Sequence, residues 1–507
     1  MITQSPALLI IVPLIASLVC LLLGMFRRNL CQPFVVVVLG ACVILAFDIM
    51  GTVLSDGVIR YRLGGWEPPW GIEYLIDHLN AFIAIIITSI SFIVAIFSRK
   101  SIEQELPEGK IIYFYTIYLL LITGLLGIVV TGDVFNIYVF LEIASLAGYA
   151  LIALGKDRAI LASFEYVVMG TIGACFYLLG VGYLYIVTGS LNIMDLTLLL
   201  PNLYHSKVVL IAFAFFMVGI AIKIALFPLH VWLPDAYTYA PSTVSALVAA
   251  TMTKVGAYVM MRIMFTVFQP YFSVELLPVT TILGWVAAAA MMFGCIQALA
   301  QTDLKRILCY ILIAEVGYIV LGVSVANRTG FTGALLHILN DAVMMASLFL
   351  IAGAIYYKTG TRNVTEFRQL NQKMPVTMAC FVIAALSVVG VPPTCGFFSK
   401  WYLVLGAIDA RQWLFALLLL VSSLLVAIVF FKIIQTVYFA PTVEAAHVRH
   451  KGSGEEHAGH HQAHVKDEAP ASMMVPIFIT VAGILLLGIF SGKIISTVIQ
   501  FAVPKGF

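Results

Sequence analysis

Long apolar runs separated by short polar breaks fill the chain from end to end. Windows of about 20 apolar residues, the length that crosses a hydrocarbon layer about 30 Å thick, fall near 5–25, 33–54, 76–97, 111–131, 134–154, 159–188, 207–239, 242–268, 277–300, 305–326, 330–357, 375–408, 412–439 and 472–500. The breaks are too short to house a soluble domain, so the pattern predicts one polytopic, all-α membrane unit with 14 transmembrane helices. The first run starts close to Met1, is full length and has no small-residue cleavage pattern after it, which reads as a retained helix rather than a signal peptide. Two runs are longer than the rest and are interrupted. In 207–239 the break falls at Phe227-Pro228, with Pro234 beyond; in 375–408 it falls at Gly390-Val391-Pro392-Pro393. Proline removes a backbone donor and clashes with the preceding turn, and inside a membrane such a break persists only where protein or a wet cavity satisfies the freed carbonyls. Broken spans at comparable places in two halves suggest an internal repeat around a transport site.

Composition excludes the alternatives. Of the 507 residues 62% are hydrophobic and 10% are charged, against about 25% charged in soluble domains. The net charge of +3 carries no basic patch, so nucleic acid is not expected as a partner. Eight cysteines are scattered singly without a CxxC pair, and nothing marks a cofactor, metal or quinone site. With both termini on one side, the loops between odd and even spans hold sixteen of the 28 basic residues and the opposite loops eight. The positive-inside rule then places both termini outside.

The few ionisable residues deep in apolar runs are functional candidates by default. They are Glu142, Lys223, Lys254, His337, Asp341 and Lys400, each roughly 14–20 Å of helix rise from a loop or lying beside a proline break. Lys223 precedes Pro228 and Lys400 follows Pro393, so each broken span carries one lysine near its disrupted backbone. A buried lysine that changes partners acts as a proton switch. Glu315 and Asp48 are ambiguous between structural pairing and function, while Glu165 and Lys432 read as residues reaching the membrane surface.

At these residues the sequence becomes recognisable. The segments TGDVFNIYVFLEIASLAGY (Thr131–Tyr149), KIALFPLHVWLPDAYTYAPSTVSALVAATMTKVGAYVMMR (Lys223–Arg262), TDLKRILCYILIAEVGY (Thr302–Tyr318) and GVPPTCGFFSKW (Gly390–Trp401) closely resemble the proton-translocating subunits of respiratory complex I and of Mrp-type multisubunit cation/proton antiporters. Within that family the D-type member of the Mrp antiporters is the nearest in length and in its FNIYVFLEI segment. The resemblance implies a fourteen-helix fold in which spans 4–8 and 9–13 form inverted five-helix repeats with discontinuous helices 7 and 12. The expected divisions are 1–110 for three N-terminal helices, 111–269 and 270–440 for the two repeats, 441–471 for a histidine-rich cytoplasmic loop and 472–507 for the last helix. It further implies a proton relay through Glu142, Lys223, Lys254, His337 and Lys400. His230, in the FPLHVWLPDAY motif, Asp341 and Glu315 are secondary candidates, and Pro228, Pro392 and Pro393 mark the helix breaks.

One departure from the family pattern stands out. Family members commonly read HxxNHxxxKAxLF on helix 11, whereas this chain reads HILNDAVMMASLF from His337 to Phe349. Asp341 replaces a histidine and Met345 a lysine. Residues four apart share a helix face, so His337 and Asp341 are placed to pair, with Asp341 read either as an oxygen ligand for a proton or sodium or as a buried hydrogen-bonded group without a transport role. Residues 447–464, HVRHKGSGEEHAGHHQAH, read as a flexible loop rather than a metal site, and 55–75 as a short ordered cap. The expected function is proton movement coupled to sodium in a multisubunit antiporter of a prokaryotic plasma membrane, with other membrane subunits and the lipid bilayer as partners. The second reading is the pump module of a redox-driven complex. An organic-solute carrier is disfavoured, because no binding-pocket pattern is visible.

Overall fold

The structure, a computed structural model, describes residues 4–439 and 467–504. The chain forms α1 (Ser5–Arg27), α2 (Cys31–Asp56), α3 (His78–Glu105), α4 (Ile111–Val130), α5 (Val134–Ala153), α6 (Ala159–Thr188), the short α7 (Ile193–Leu199), α8 (Lys207–Lys223), α9 (Trp232–Tyr239), α10 (Ser242–Arg262), α11 (Val279–Ala300), α12 (Leu304–Ser324), α13 (Arg328–Thr359), the short α14 (Leu370–Lys373), α15 (Pro375–Val389), α16 (Cys395–Asp409), α17 (Trp413–Phe439) and α18 (Ala471–Ile489). Among the described residues eleven helical stretches are long and apolar enough to cross a membrane, the first being α1 and α2 joined by a single 3₁₀ turn. This is an all-helical membrane architecture, with one small exception. The expected cap at 55–75 contains a two-stranded antiparallel hairpin, β1 (Ile59–Arg62) against β2 (Glu73–Ile76), paired Ile59 to Ile76 and Arg62 to Glu73. The sequence reading also missed α7 and two π-helical segments, 263–267 and 271–276, that carry the chain from α10 to α11. The histidine-rich segment 447–464 lies outside the described residues.

Helix starts follow local chemistry. Asp77 caps α3 by accepting from the backbone of Leu79 and Asn80, and Asp133, Asn192, Asp303 and Asn327 cap α5, α7, α12 and α13 in the same way. The two expected breaks are present. α8 ends at Lys223 and α9 starts at Trp232; α15 ends at Val389, Gly390 takes φ 93°, and α16 starts at Cys395. Neither half reaches across a membrane alone. Side chains satisfy carbonyls that the breaks set free: Trp232 Nε1 donates to Ile222 O at 3.1 Å, and Lys400 Nζ donates to Val388 O at 2.6 Å.

α10, α12 and α13 are buried almost all round, while α1, α2, α6, α11 and α17 keep one apolar face exposed. A helix that is apolar on every side belongs at the centre of a bundle, and α13 touches α3, α10, α12, α15, α16 and α18. Both described ends lie at the hairpin end of the bundle: Tyr61 hydrogen-bonds Gln4, and the His78 ring meets Phe501 at 5.4 Å.

Candidate functional site

α5 and the end of α8 bring the first pair together. Lys223 Nζ lies 3.6 Å from Glu142 Oε1 and donates to Ser145 Oγ at 2.8 Å. Glu142 and Ser145 are three apart and share one face of α5. The pair is the least enclosed of the deep groups, with 26% of the Glu142 side chain exposed. A cavity of about 30 Å³ between α5, α8 and α10 adjoins Lys223, lined largely by apolar side chains that include Leu141, Met252 and Val255.

The second pair joins α10 to α13. Lys254 Nζ is 2.5 Å from Asp341 Oδ2, and both side chains are buried to within 1%. Lys254 also donates to Ala249 O at 2.8 Å. The expected pairing of His337 with Asp341 therefore fails. α13 runs between α10 on one side and α12 and α16 on another, so two residues one turn apart are claimed by different neighbours, Asp341 by Lys254 on α10 and His337 by Glu315 on α12 and Ser399 on α16.

His337 turns instead to Glu315 on α12, with Nε2 3.0 Å from Oε2, and its Nδ1 hydrogen-bonds Ser399 Oγ at 2.9 Å. Lys400 reaches the other oxygen of Glu315 at 3.7 Å, sits 4.3 Å above the Tyr318 ring and donates to Ser423 Oγ at 3.3 Å. Glu315 thus stands between a histidine and a lysine in a fully buried position. Burying charge requires opposite charge close by. Here each of three carboxylates, Glu142, Asp341 and Glu315, has one lysine as its counter-ion, and His337 is the remaining titratable group. Three carboxylates and three lysines balance one another in charge when all six are ionised.

Not every candidate joins this set. The His230 ring packs against Phe227 and Phe293, at centroid distances of 5.5 and 4.9 Å, rather than against the charged groups. Asp48 accepts from Ser5 Oγ at 3.1 Å, a structural pairing, and Glu165 and Lys432 are exposed. Met345 is fully buried. Among the described residues no three of His, Cys, Asp and Glu converge as a metal site.

Sequence reading missed several polar partners. Ser145 and Ser399 looked like ordinary helix residues; the signal was position, one a turn from Glu142 and the other next to Lys400. Arg262 and Lys305, counted with the loops, are 7% and 2% exposed. Lys305 donates to Ala240 O at 2.6 Å, and Arg262 binds Asp77 and Asn80.

Comparison with known proteins places the chain. The chain is 45% identical over 99% of its length to NADH-quinone oxidoreductase subunit N of Desulforudis audaxviator, covering 99% of that protein. It is 32% identical over 89% of its length to the D subunit of the Na(+)/H(+) antiporter of Alkalihalophilus pseudofirmus, covering 87% of it. Its fold matches a chain of the membrane-bound sulfane sulfur reductase, an archaeal respiratory membrane complex, with a TM-score of 0.87 at 30% identity, covering 98% of this chain and 96% of that one. Residues 131–426, which contain all three charged pairs, match the family described as "NADH:quinone oxidoreductase/Mrp antiporter, TM". The chain is a member of this family of antiporter-like membrane subunits.

Proposed function

We propose that the chain moves protons through the line Glu142, Lys223, Lys254, His337 and Lys400, as an antiporter-like subunit of a larger membrane complex. The observation that carries this reading is the run of three carboxylate–lysine pairs, two fully buried and one half-buried, with two of the three beside broken helices. Loss of the Glu142 contact frees Lys223 to pass its proton toward Lys254. Asp341 stabilises the charged form of Lys254, and Glu315, held by both His337 and Lys400, receives the proton next. The opened backbone at Ile224–Val231 and Gly390–Thr394 supplies polar groups along the way.

Fourteen crossings with inverted repeats over 111–269 and 270–440 accommodate the same helices, since each broken pair, α8 with α9 and α15 with α16, makes one crossing. Matching anchors at opposite ends of the bundle support the repeat. Asp133, capping α5, bridges Asn192 just beyond α6; Asp303, capping α12, bridges Asn363 just beyond α13. By that correspondence Glu142 on α5 with Lys223 is the counterpart of Glu315 on α12 with Lys400. Both termini then face outside a prokaryotic plasma membrane, the side that carries fewer basic loop residues.

The parent complex in the first reading is a Mrp-type antiporter exchanging protons for sodium. The second, favoured by the relative named NADH-quinone oxidoreductase subunit N, is a redox-driven complex in which electron transfer in other subunits powers the same line. Copurification separates the two: small antiporter subunits support the first, and iron–sulfur or nickel–iron partners the second. The relay itself is tested with Lys223→Ala and Glu142→Ala in the intact complex, assayed for proton and sodium flux. Undiminished proton movement in both variants refutes it.

A further inference from the structure

α10 carries Lys254, Tyr258 and Arg262 at intervals of four, so the three stack along one face from mid-membrane to the hairpin end of the bundle. Arg262 lies about 12 Å of helix rise beyond Lys254. Its guanidinium is held from several directions. It donates to Asp77 and Asn80 at the start of α3, to Tyr258 Oη at 3.3 Å and to Thr266 Oγ1 at 3.4 Å. Tyr258 in turn donates to Val129 O at 3.0 Å, and Asn80 donates to the same carbonyl. These contacts tie the ends of α3, α4 and α10 together. Beyond Arg262 the Asp77 side chain is 27% exposed, so the guanidinium sits between Lys254 and the hairpin-side surface.

We infer that Arg262 is a fixed positive barrier that keeps Lys254 from exchanging protons with the hairpin side, so that protons on the relay leave through the second half of the bundle. An arginine placed across a pore repels an approaching proton electrostatically, and guanidinium does not discharge under any ordinary condition. Tyr258 commits its hydroxyl proton to a backbone carbonyl, and Asp77 Oδ1 accepts from the guanidinium and two backbone amides. The column thus offers no free hydroxyl proton beside the guanidinium, whereas Asp341, the partner of Lys254, keeps its buried Oδ1 without a donor among the described residues.

The inference rests on the relay reading of Lys254, and the test separates them. Purified intact complex is reconstituted into liposomes with its driving reaction off, a potential is imposed with potassium and valinomycin, and passive proton leak is followed with an internal pH dye. Arg262→Gln is expected to raise the leak at least tenfold, whereas Arg262→Lys, which keeps the charge, stays near the native rate. A tight Arg262→Gln complex, or an Arg262→Lys complex as leaky as Arg262→Gln, overturns the barrier. If Arg262→Gln does not assemble, Asp77→Asn decides. It leaves the cation in place and is expected to stay tight, so a leak there overturns the charge barrier in favour of a plug held by the ion pair. In Arg262→Gln with Lys254→Ala the leak is expected to fall back toward native. A leak undiminished by the second change runs past Lys254 and overturns the inference, while the relay reading stands or falls on proton flux in Lys223→Ala and Glu142→Ala.

Discussion

Asp341→Asn isolates the feature in which this chain departs from the pattern it otherwise resembles. The substitution keeps the shape of the side chain and removes its charge from a contact of 2.5 Å with Lys254, in a site where neither side chain is more than 1% exposed. At an effective dielectric of about 20, the lost attraction is about 7 kcal/mol gross. Much of that offsets desolvation, and stripping one partner from a buried pair costs about 3–5 kcal/mol net. The relay needs Lys254 charged in one of its states, so the penalty enters the barrier for that step. At about 1.4 kcal/mol per tenfold, proton movement slows by roughly a hundred- to several-thousand-fold. Asp341→Glu keeps the charge but inserts a methylene into a closed core, for about 1–3 kcal/mol, and falls between native and Asp341→Asn. The assay is dye-monitored proton uptake by membrane vesicles carrying the complex, with assembly checked on native gels. An assembled Asp341→Asn complex pumping within threefold of native refutes the assignment.

Three further outcomes follow from the same geometry. Glu315→Gln removes the counter-ion that His337 and Lys400 share and should abolish proton uptake as severely as Asp341→Asn; activity near native removes Glu315 from the path. Ser145→Ala deletes a 2.8 Å hydrogen bond to Lys223, worth about 1.5–3 kcal/mol for a charged donor, and should slow uptake by roughly ten- to a hundredfold while Ser145→Thr restores much of it; equal rates for native and alanine forms count against a role for the serine. At the hairpin end, burial disfavours the charged form of Asp77, but the Arg262 guanidinium and the amides of Asn80 and Leu79 outweigh it and hold the carboxyl below the ordinary carboxylate range. A carboxyl shifted down on folding stabilises the protein above its unfolded value and loses that contribution as pH falls through the folded one. Thermal unfolding of the complex should therefore fall off in acid less steeply for Asp77→Asn than for native, and parallel profiles would disprove the contribution.

Span positions, the two proline breaks and six of the deep ionisable groups were legible in the sequence, because each depends on a local property. A run of about 20 apolar residues forms a membrane-crossing helix whatever its neighbours, proline breaks a helix through its own ring, and a lysine in an apolar run is anomalous without reference to any partner. Glu315 shows where that legibility stops. On its own helix it is one carboxylate in an apolar run, no more telling than Asp48, and only the packing of α12 against α13 and α16 sets it between His337 and Lys400.

Partner choice belongs to the tertiary structure for the same reason. The spacing of His337 and Asp341 predicts contact along one helix, yet each faces a different neighbouring helix, and interhelical contacts to Glu315 and Lys254 prevail. Arg262 and Lys305 mark the other boundary. Both sit at helix ends, where the sequence alone reads solvent, and both are buried because distant segments, the start of α3 and the turn before α10, fold over them. Sequence by itself determines which ionisable groups stand within apolar runs; only the fold decides which opposite charge lies within reach, since Coulomb attraction and hydrogen bonding act through space and not along the chain.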